Sequence, residues 1–299
     1  MKFRNIACIV LAVLMLLLVG CENVPSTEPS TEPSTEPSTE PSTEPSTEPS
    51  TESGDITAEN TCSILFVGNS YTYYNNMPTV IFEQFAESAG YNVKVTAITR
   101  GTYDLSRFAD PTDNYGKKVE QALTGAEKYD FVILQDQSIR PATENVPDFY
   151  DAVRNLNARI RAAGATPILF ATWGRKEGNS TLSTYGWTTE SMTWKLAAAY
   201  QAIGDELNIP VVHVGLAFYD IYTGPSGIDL YDSDKTHPSY AGSYLAAAAL
   251  FAEIFDADPT TAIPNNIKVL CKAARKAVFE TPAIPEEYQM KSEGVGRNN

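Results

Sequence analysis

Ile64-Leu65-Phe66-Val67-Gly68-Asn69-Ser70-Tyr71-Thr72 reads as a short buried strand that stops at a turn. Four apolar residues open it, three of them β-branched or aromatic. Gly68 and Asn69 then tolerate the backbone angles of a sharp turn. Ser70 therefore falls just past a strand's carboxyl end, ahead of a helix pattern that begins at Pro78. Open α/β sheets bind ligands in the crevice outside those ends, so a hydroxyl there is placed to act as a nucleophile. The plainer alternative is a serine that only caps or turns the loop.

Outward from this strand the apolar pattern alternates in type. Helix is expected over Pro78–Ala89, strand over Asn92–Ile98, helix over Tyr115–Leu123 and strand over Tyr129–Gln135. Then follow a helix Asp148–Ala163, a strand Thr166–Thr172, a helix Glu190–Leu207 and a strand Pro210–Val214. Helices Tyr240–Phe255 and Asn265–Phe279 close the series, and the polar residues from about Thr281 onward read as loose. Such a βαβα order predicts one parallel sheet with helices on both faces.

The 299 residues are 43% hydrophobic and 20% charged, which suits a globular protein with one sizeable core. Of the net charge of −15, the residues from 61 onward carry −7. No basic stripe interleaved with aromatics suggests nucleic acid. No Cys/His spacing suggests a metal, and no cofactor is expected.

Residues 1–20 have the form of an export signal. Lys2 and Arg4 precede the apolar run Ile6–Gly20, too short to span a membrane comfortably. Its end, Leu18-Val19-Gly20-Cys21, resembles a bacterial lipobox, which implies that Cys21 is lipidated and tethers the chain to a membrane. Within residues 21–60, seven identical Pro-Ser-Thr-Glu repeats run from Pro25 to Glu52. They hold no apolar residue beyond proline, so they cannot bury a core and read as a disordered spacer reaching about 90 Å at full extension. The folded domain is expected over 61–283 and a flexible tail over 284–299. Cys62 and Cys271, near the two ends of that domain, form either a disulfide or two buried thiols.

The chain has two histidines. His213, inside Val211-Val212-His213-Val214, reads as structural rather than as a base. His237 lies in the polar loop Asp234-Lys235-Thr236-His237-Pro238, where Asp234 can hold the imidazole through Nδ1–H and fix its tautomer. Asp232 is a nearby competitor for that role, and a turn-forming aspartate beside a helix-start histidine is the plainer alternative.

Gly68-Asn69-Ser70-Tyr71-Thr72 and Asp234-x-x-His237-Pro238 together resemble the first and last sequence blocks of the SGNH/GDSL hydrolase superfamily. The Gly-x-Ser-x-Gly elbow of the α/β-hydrolases is absent around Ser70. The resemblance implies a flavodoxin-like, three-layer α/β/α sandwich on a five-stranded parallel sheet. It also implies Ser70 as nucleophile, His237 as general base and acid, and Asp234 as its orienting carboxylate. The oxyanion hole would take the Ser70 amide, the Gly101 amide after the second strand and a side-chain amide after the third. A Gly-x-Asn-Asp block is missing there. Gln135-Asp136-Gln137-Ser138 takes its place, so Gln137 or Gln135 would supply that donor.

Tyr71, Tyr73, Tyr74, Trp173 and Arg175 either line the cleft, where rings suit sugars, or only pack the loops. The function expected is an exported, lipid-anchored serine esterase at the surface or envelope of a bacterial cell, outside the cytoplasm. It would act on O-acyl, above all O-acetyl, esters of a carbohydrate or similar polar substrate. A glycan-binding module without turnover and an O-acyltransferase are the alternatives. The first is separable by fluorophosphonate labelling, the second by product analysis with an acceptor glycan.

Overall fold

The computed structural model describes residues 60–261 and 267–296. The expected export signal, the expected lipidation at Cys21 and the repeat spacer lie outside these residues, as does the expected start of the last helix at Asn265. Among the described residues, no helix is long and apolar enough to cross a membrane.

Five parallel strands form one sheet in the order β2-β1-β3-β4-β5: β1 Cys62–Gly68, β2 Val93–Thr99, β3 Phe131–Leu134, β4 Thr166–Phe170 and β5 Val211–Val212. This is the doubly wound, flavodoxin-like order expected from the sequence. The chain goes from β1 outward to β2, then returns to the other side of β1 for β3. Ser70 thus follows β1 at the point where the winding reverses, the place where such sheets bind ligands.

Strand alternation sorts the core into two layers. Ile64 and Phe66 face one cluster, which includes Phe85 of helix α2 (Glu83–Ser88), Phe218 of α8 (Val214–Thr223), α9 (Tyr240–Phe255) and α10 (Lys268–Phe279). Leu65 and Val67 face the other, with α3 (Leu105–Ala109), α4 (Asn114–Thr124), α5 (Val146–Ala162) and α7 (Thr189–Leu207). Helix α5 shows why: Phe149, Val153, Leu156 and Ile160 recur at helical spacing and are all buried. The alanine-rich α9 is buried on nearly every side. A Cβ at Gly242 would come within 2.3 Å of the Leu230 carbonyl oxygen, so small residues set how closely it packs.

Several expectations need correction. The strand expected over Pro210–Val214 pairs only at Val211 and Val212, because His213 already caps α8, a helix not foreseen. Short helices α1 (Ser70–Tyr73), α3 and α6 (Ser180–Tyr185) were also not foreseen. The helix expected over Pro78–Ala89 begins as a π-helical turn, Met77–Phe82, before α2. Cys62 and Cys271 are both free, buried in one hydrophobic cluster, so the disulfide alternative falls. Burial pushes each thiol up to about 12, leaving it protonated and inert.

Within the expected tail, Ser292 and Val295 dock against the domain. Arg154 donates to the Ser292 and Val295 carbonyls at 2.8 Å each, and Ser292 is buried with its hydroxyl on the Ala202 carbonyl. A guanidinium fixed by Glu206 and Asp151 thus replaces water on this polar backbone.

Candidate active site

The turn after β1 is built before any chemistry is considered. Asn69 is buried, and its Oδ1 accepts from the Tyr71 amide, capping α1. Its Nδ2 donates to the carbonyls of Tyr103 and Asp136, which lie on the loops after β2 and β3. Two backbone bonds draw in the same loops: the Arg100 amide donates to the Gly68 carbonyl, and the Gln135 amide to the Val67 carbonyl. Gly68 must be glycine, since a Cβ would lie 2.4 Å from Thr72 Oγ1 and 2.7 Å from Gln135 Oε1. Ser70, the first residue of α1, is thereby held half-buried above three converging loops.

His237 reaches it from the far end of the chain. Its Nε2 lies 2.8 Å from Ser70 Oγ, and its Nδ1 lies 2.5 Å from Asp234 Oδ2. Asp234 Oδ1 accepts from the amides of Thr236 and His237 at 2.9 Å each. Burial raises the Asp234 carboxyl, but the His237 ring and these amides outweigh it and hold the carboxyl below its usual range. Carboxylate, imidazole and hydroxyl therefore form one hydrogen-bonded line that can pass a proton from oxygen to nitrogen.

The histidine loop is braced from three sides. Tyr74 stacks on the His237 ring, and its hydroxyl donates to Asp232 Oδ2 at 3.1 Å. Asp232 therefore orients a tyrosine rather than the histidine. Arg175 Nη1 donates to Thr236 Oγ1 at 2.5 Å and Nη2 to Ser138 Oγ at 3.0 Å, joining the histidine loop to the loop after β3. Asn75 Nδ2 donates to the Pro238 carbonyl and to Ser243 Oγ. The bracing roles of Tyr74, Asp232, Asn75 and Ser138 had no signal in the sequence, because each partner is remote along the chain.

Tyr71 and Trp173 are not cleft-lining residues. Both are buried, in a stack Tyr71–Trp173–Phe218 with centroids 4.6 and 4.1 Å apart. The indole Nε1 donates to the Thr236 carbonyl, so this stack is a floor beneath the histidine loop. Arg175, half-buried, is committed to Thr236 and Ser138, which makes it a strut rather than a substrate contact.

The two glutamines separate clearly. Gln135 is fully buried; Oε1 accepts from the Asn69 amide and Thr72 Oγ1, and Nε2 is turned onto the Asp136 carbonyl. It supports the turn from below, and its complete burial sets it in the core rather than at the surface where an ester would bind. Gln137 uses Oε1 to accept from the Ile139 and Arg140 amides, which leaves its amide NH2 uncommitted in the described contacts. Gly101 follows β2 and sits where a Cβ would be 3.1 Å from the Tyr73 hydroxyl. Asp136, between the glutamines, is fully buried, and burial pushes its carboxyl up to about 6; Oδ1 accepts from the Leu105 amide at 2.6 Å.

His213 is a core residue. Its Nε2 lies 2.7 Å from Gln201 Oε1, and burial lowers it to about 4, so it is neutral. No group of three or more His, Cys, Asp or Glu among the described residues is placed to hold a metal ion.

No family model matches the sequence, and no curated protein matches it. Solved structures do. A protein from Slackia heliotrinireducens, named as a candidate SGNH hydrolase, is 31% identical with a TM-score of 0.55; the match covers 64% of this chain and 97% of that one. A DUF4886 family protein from Bacteroides uniformis is 18% identical with a TM-score of 0.62 over 76% of this chain and 98% of that one, a likeness of fold.

Proposed function

Because this chain belongs to the SGNH hydrolases, we propose that it is a serine esterase that removes O-acyl groups, acetyl above all, from a carbohydrate or similar polar substrate. The observation that carries the reading is the unbroken line from Ser70 Oγ through His237 to Asp234.

In this reading Ser70 Oγ attacks the ester carbonyl while His237 Nε2 takes its proton. The carbonyl π electrons move onto oxygen, and the resulting charge is met by the amides of Ser70 and Gly101 and the side-chain amide of Gln137. The tetrahedral species collapses as His237 returns the proton to the departing alcohol oxygen. Water, deprotonated by the same nitrogen, then attacks the acyl-enzyme, releasing the carboxylic acid and restoring Ser70. Asp234 stays ionised throughout and keeps Nδ1 protonated.

Ser70→Ala and His237→Ala should each lower hydrolysis of p-nitrophenyl acetate at least about 10³-fold. Full activity in either variant would remove the assignment. The exported, lipid-anchored state is part of the proposal and is supported by Cys21 standing where the apolar run ends. Cys21→Ala should abolish incorporation of labelled fatty acid.

A further inference from the structure

A pocket opens beside the turn that carries Ser70, where Thr99 of β2 pairs with Gly68 of β1. At the carboxyl end of β2, a cleft of about 420 Å³ is lined by Tyr73, Asn76, Thr99, Arg100, Gly101 and Tyr115 among others. It shares Gly101 with the oxyanion hole proposed above, and Tyr73 stands three residues after Ser70 on the same short helix. Thr102, next to Gly101, has a left-handed backbone at φ 66°, a conformation that a β-branched residue rarely takes.

The electrostatics of this cleft differ from those of the surface around it. The domain is acidic, and most guanidinium groups near the strand ends are neutralised: Arg140 by Asp104 at 2.9 Å, Arg107 by Asp113 at 3.3 Å. The two neighbouring cavities, of about 530 and 430 Å³, contain Asp104 and Asp148 beside Arg140. No acidic residue lines the cleft at Gly101. Arg100 is exposed there, and its guanidinium meets the Tyr115 ring at 5.8 Å but has no carboxylate partner among the described residues. Lys118 Nζ lies 4.4 Å from the same ring centroid. Asp104, the nearest acid along the chain, is held by Arg140, and Asp113 by Arg107.

An unpaired guanidinium beside tyrosine rings is built to meet an oxyanion carried on a ring-shaped body. We propose that this cleft holds the alcohol half of the ester, and that this half is an anionic sugar, bearing a carboxylate or a phosphate within reach of Arg100. The acyl group would then lie over Ser70, and the rings of Tyr73 and Tyr115 would face the sugar. That the sugar is the alcohol half of an ester, with its acyl group over Ser70, rests on the esterase reading; the anion site stands on the cleft itself.

The test is a titration of the purified protein, followed by backbone amide shifts, with three ester-free probes. These are methyl galactopyranosiduronate, neutral methyl galactopyranoside and galactose 6-phosphate. At least one anion should bind about tenfold or more tightly than the neutral sugar, the scale of one charged hydrogen-bond pair. The better of the two names the source of the charge. Arg100→Gln should bring that ratio to within about twofold, and Arg100→Lys should keep part of it by charge without the fork. Equal affinity for all three probes, binding of none, or an undiminished ratio in Arg100→Gln would overturn the proposal. Ser70-dependent hydrolysis of p-nitrophenyl acetate is scored separately. Anion preference without hydrolysis would leave the cleft and remove the esterase, and hydrolysis without preference would do the reverse.

Discussion

The phenol ring of Tyr74 lies flat on the imidazole of His237, with centroids 4.6 Å apart and planes 12° from parallel. Its hydroxyl is fixed by Asp232, so a residue four positions after Ser70 holds the histidine loop from outside while Tyr71 and Trp173 support it from beneath. Removing the stack should loosen the imidazole without removing it. Tyr74→Ala should lower kcat/KM about tenfold, matching an aromatic pair worth about 0.5–1.5 kcal/mol, and Tyr74→Phe should cost less than about threefold. Steady-state kinetics on p-nitrophenyl acetate would check both.

The two aspartates of the histidine loop should behave differently. Asp234→Asn removes the charge facing Nδ1 and offers the wrong hydrogen-bond partner, so kcat should fall on the order of 10⁴-fold. Asp232→Asn keeps a polar partner for Tyr74 and should cost less than about fivefold. A similar loss in both would mean that Asp234 is not the orienting group.

For the oxyanion donor, Gln137→Glu is the informative change. It preserves an acceptor for the Ile139 and Arg140 amides but deletes the NH2, so kcat should fall 10²–10³-fold, roughly the effect of one lost donor, while the melting temperature barely moves. Gln135→Leu should do something else. It strands the buried Asn69 amide and Thr72 hydroxyl, and should destabilise the fold by about 2–4 kcal/mol in urea denaturation.

Arg175 ties Thr236 to Ser138 with two hydrogen bonds. Arg175→Met should lower kcat/KM at least about tenfold. Arg175→Lys should rescue little, because one ammonium cannot make the planar bridge. Equal kinetics in wild type and Arg175→Met would show that the strut is dispensable.

His213 gives a pH signature. Its folded value of about 4 lies below the ordinary 6.5, so the unfolded chain takes up a proton first as pH falls. Its stabilising contribution is complete above about pH 6.5 and is lost progressively toward pH 4. Asp136 acts with the opposite sign: its folded value of about 6 lies above the ordinary 3.8, so stability from this group falls as pH rises from about 4 to 6. His213→Gln should therefore lose less stability than wild type between pH 6.5 and 4, and Asp136→Asn should lose more. Denaturation curves at each pH would read this directly.

Taken by itself, the sequence determined what repeats locally or recurs with a fixed period. The strand–helix alternation, the turn at Gly68-Asn69-Ser70 and the Asp234–His237 spacing were legible because each depends on neighbours a few residues away. The alternation predicted the parallel sheet, and the two short motifs together carried the resemblance that implied Ser70, His237 and Asp234 as one group. Tertiary structure alone decided which partner each long side chain chose. Gln135 and Gln137 read alike, yet one is buried beneath Asn69 and the other keeps a free amide. Trp173 could be read as lining the cleft or as packing the loops, and it fills a stack with Phe218, while the polar tail meets a fixed guanidinium at Arg154. For Gln135, Trp173 and Arg154 the deciding contact joins residues dozens to more than a hundred positions apart, and burial, which sets whether a ring or an amide meets ligand or core, exists only once the layers have closed.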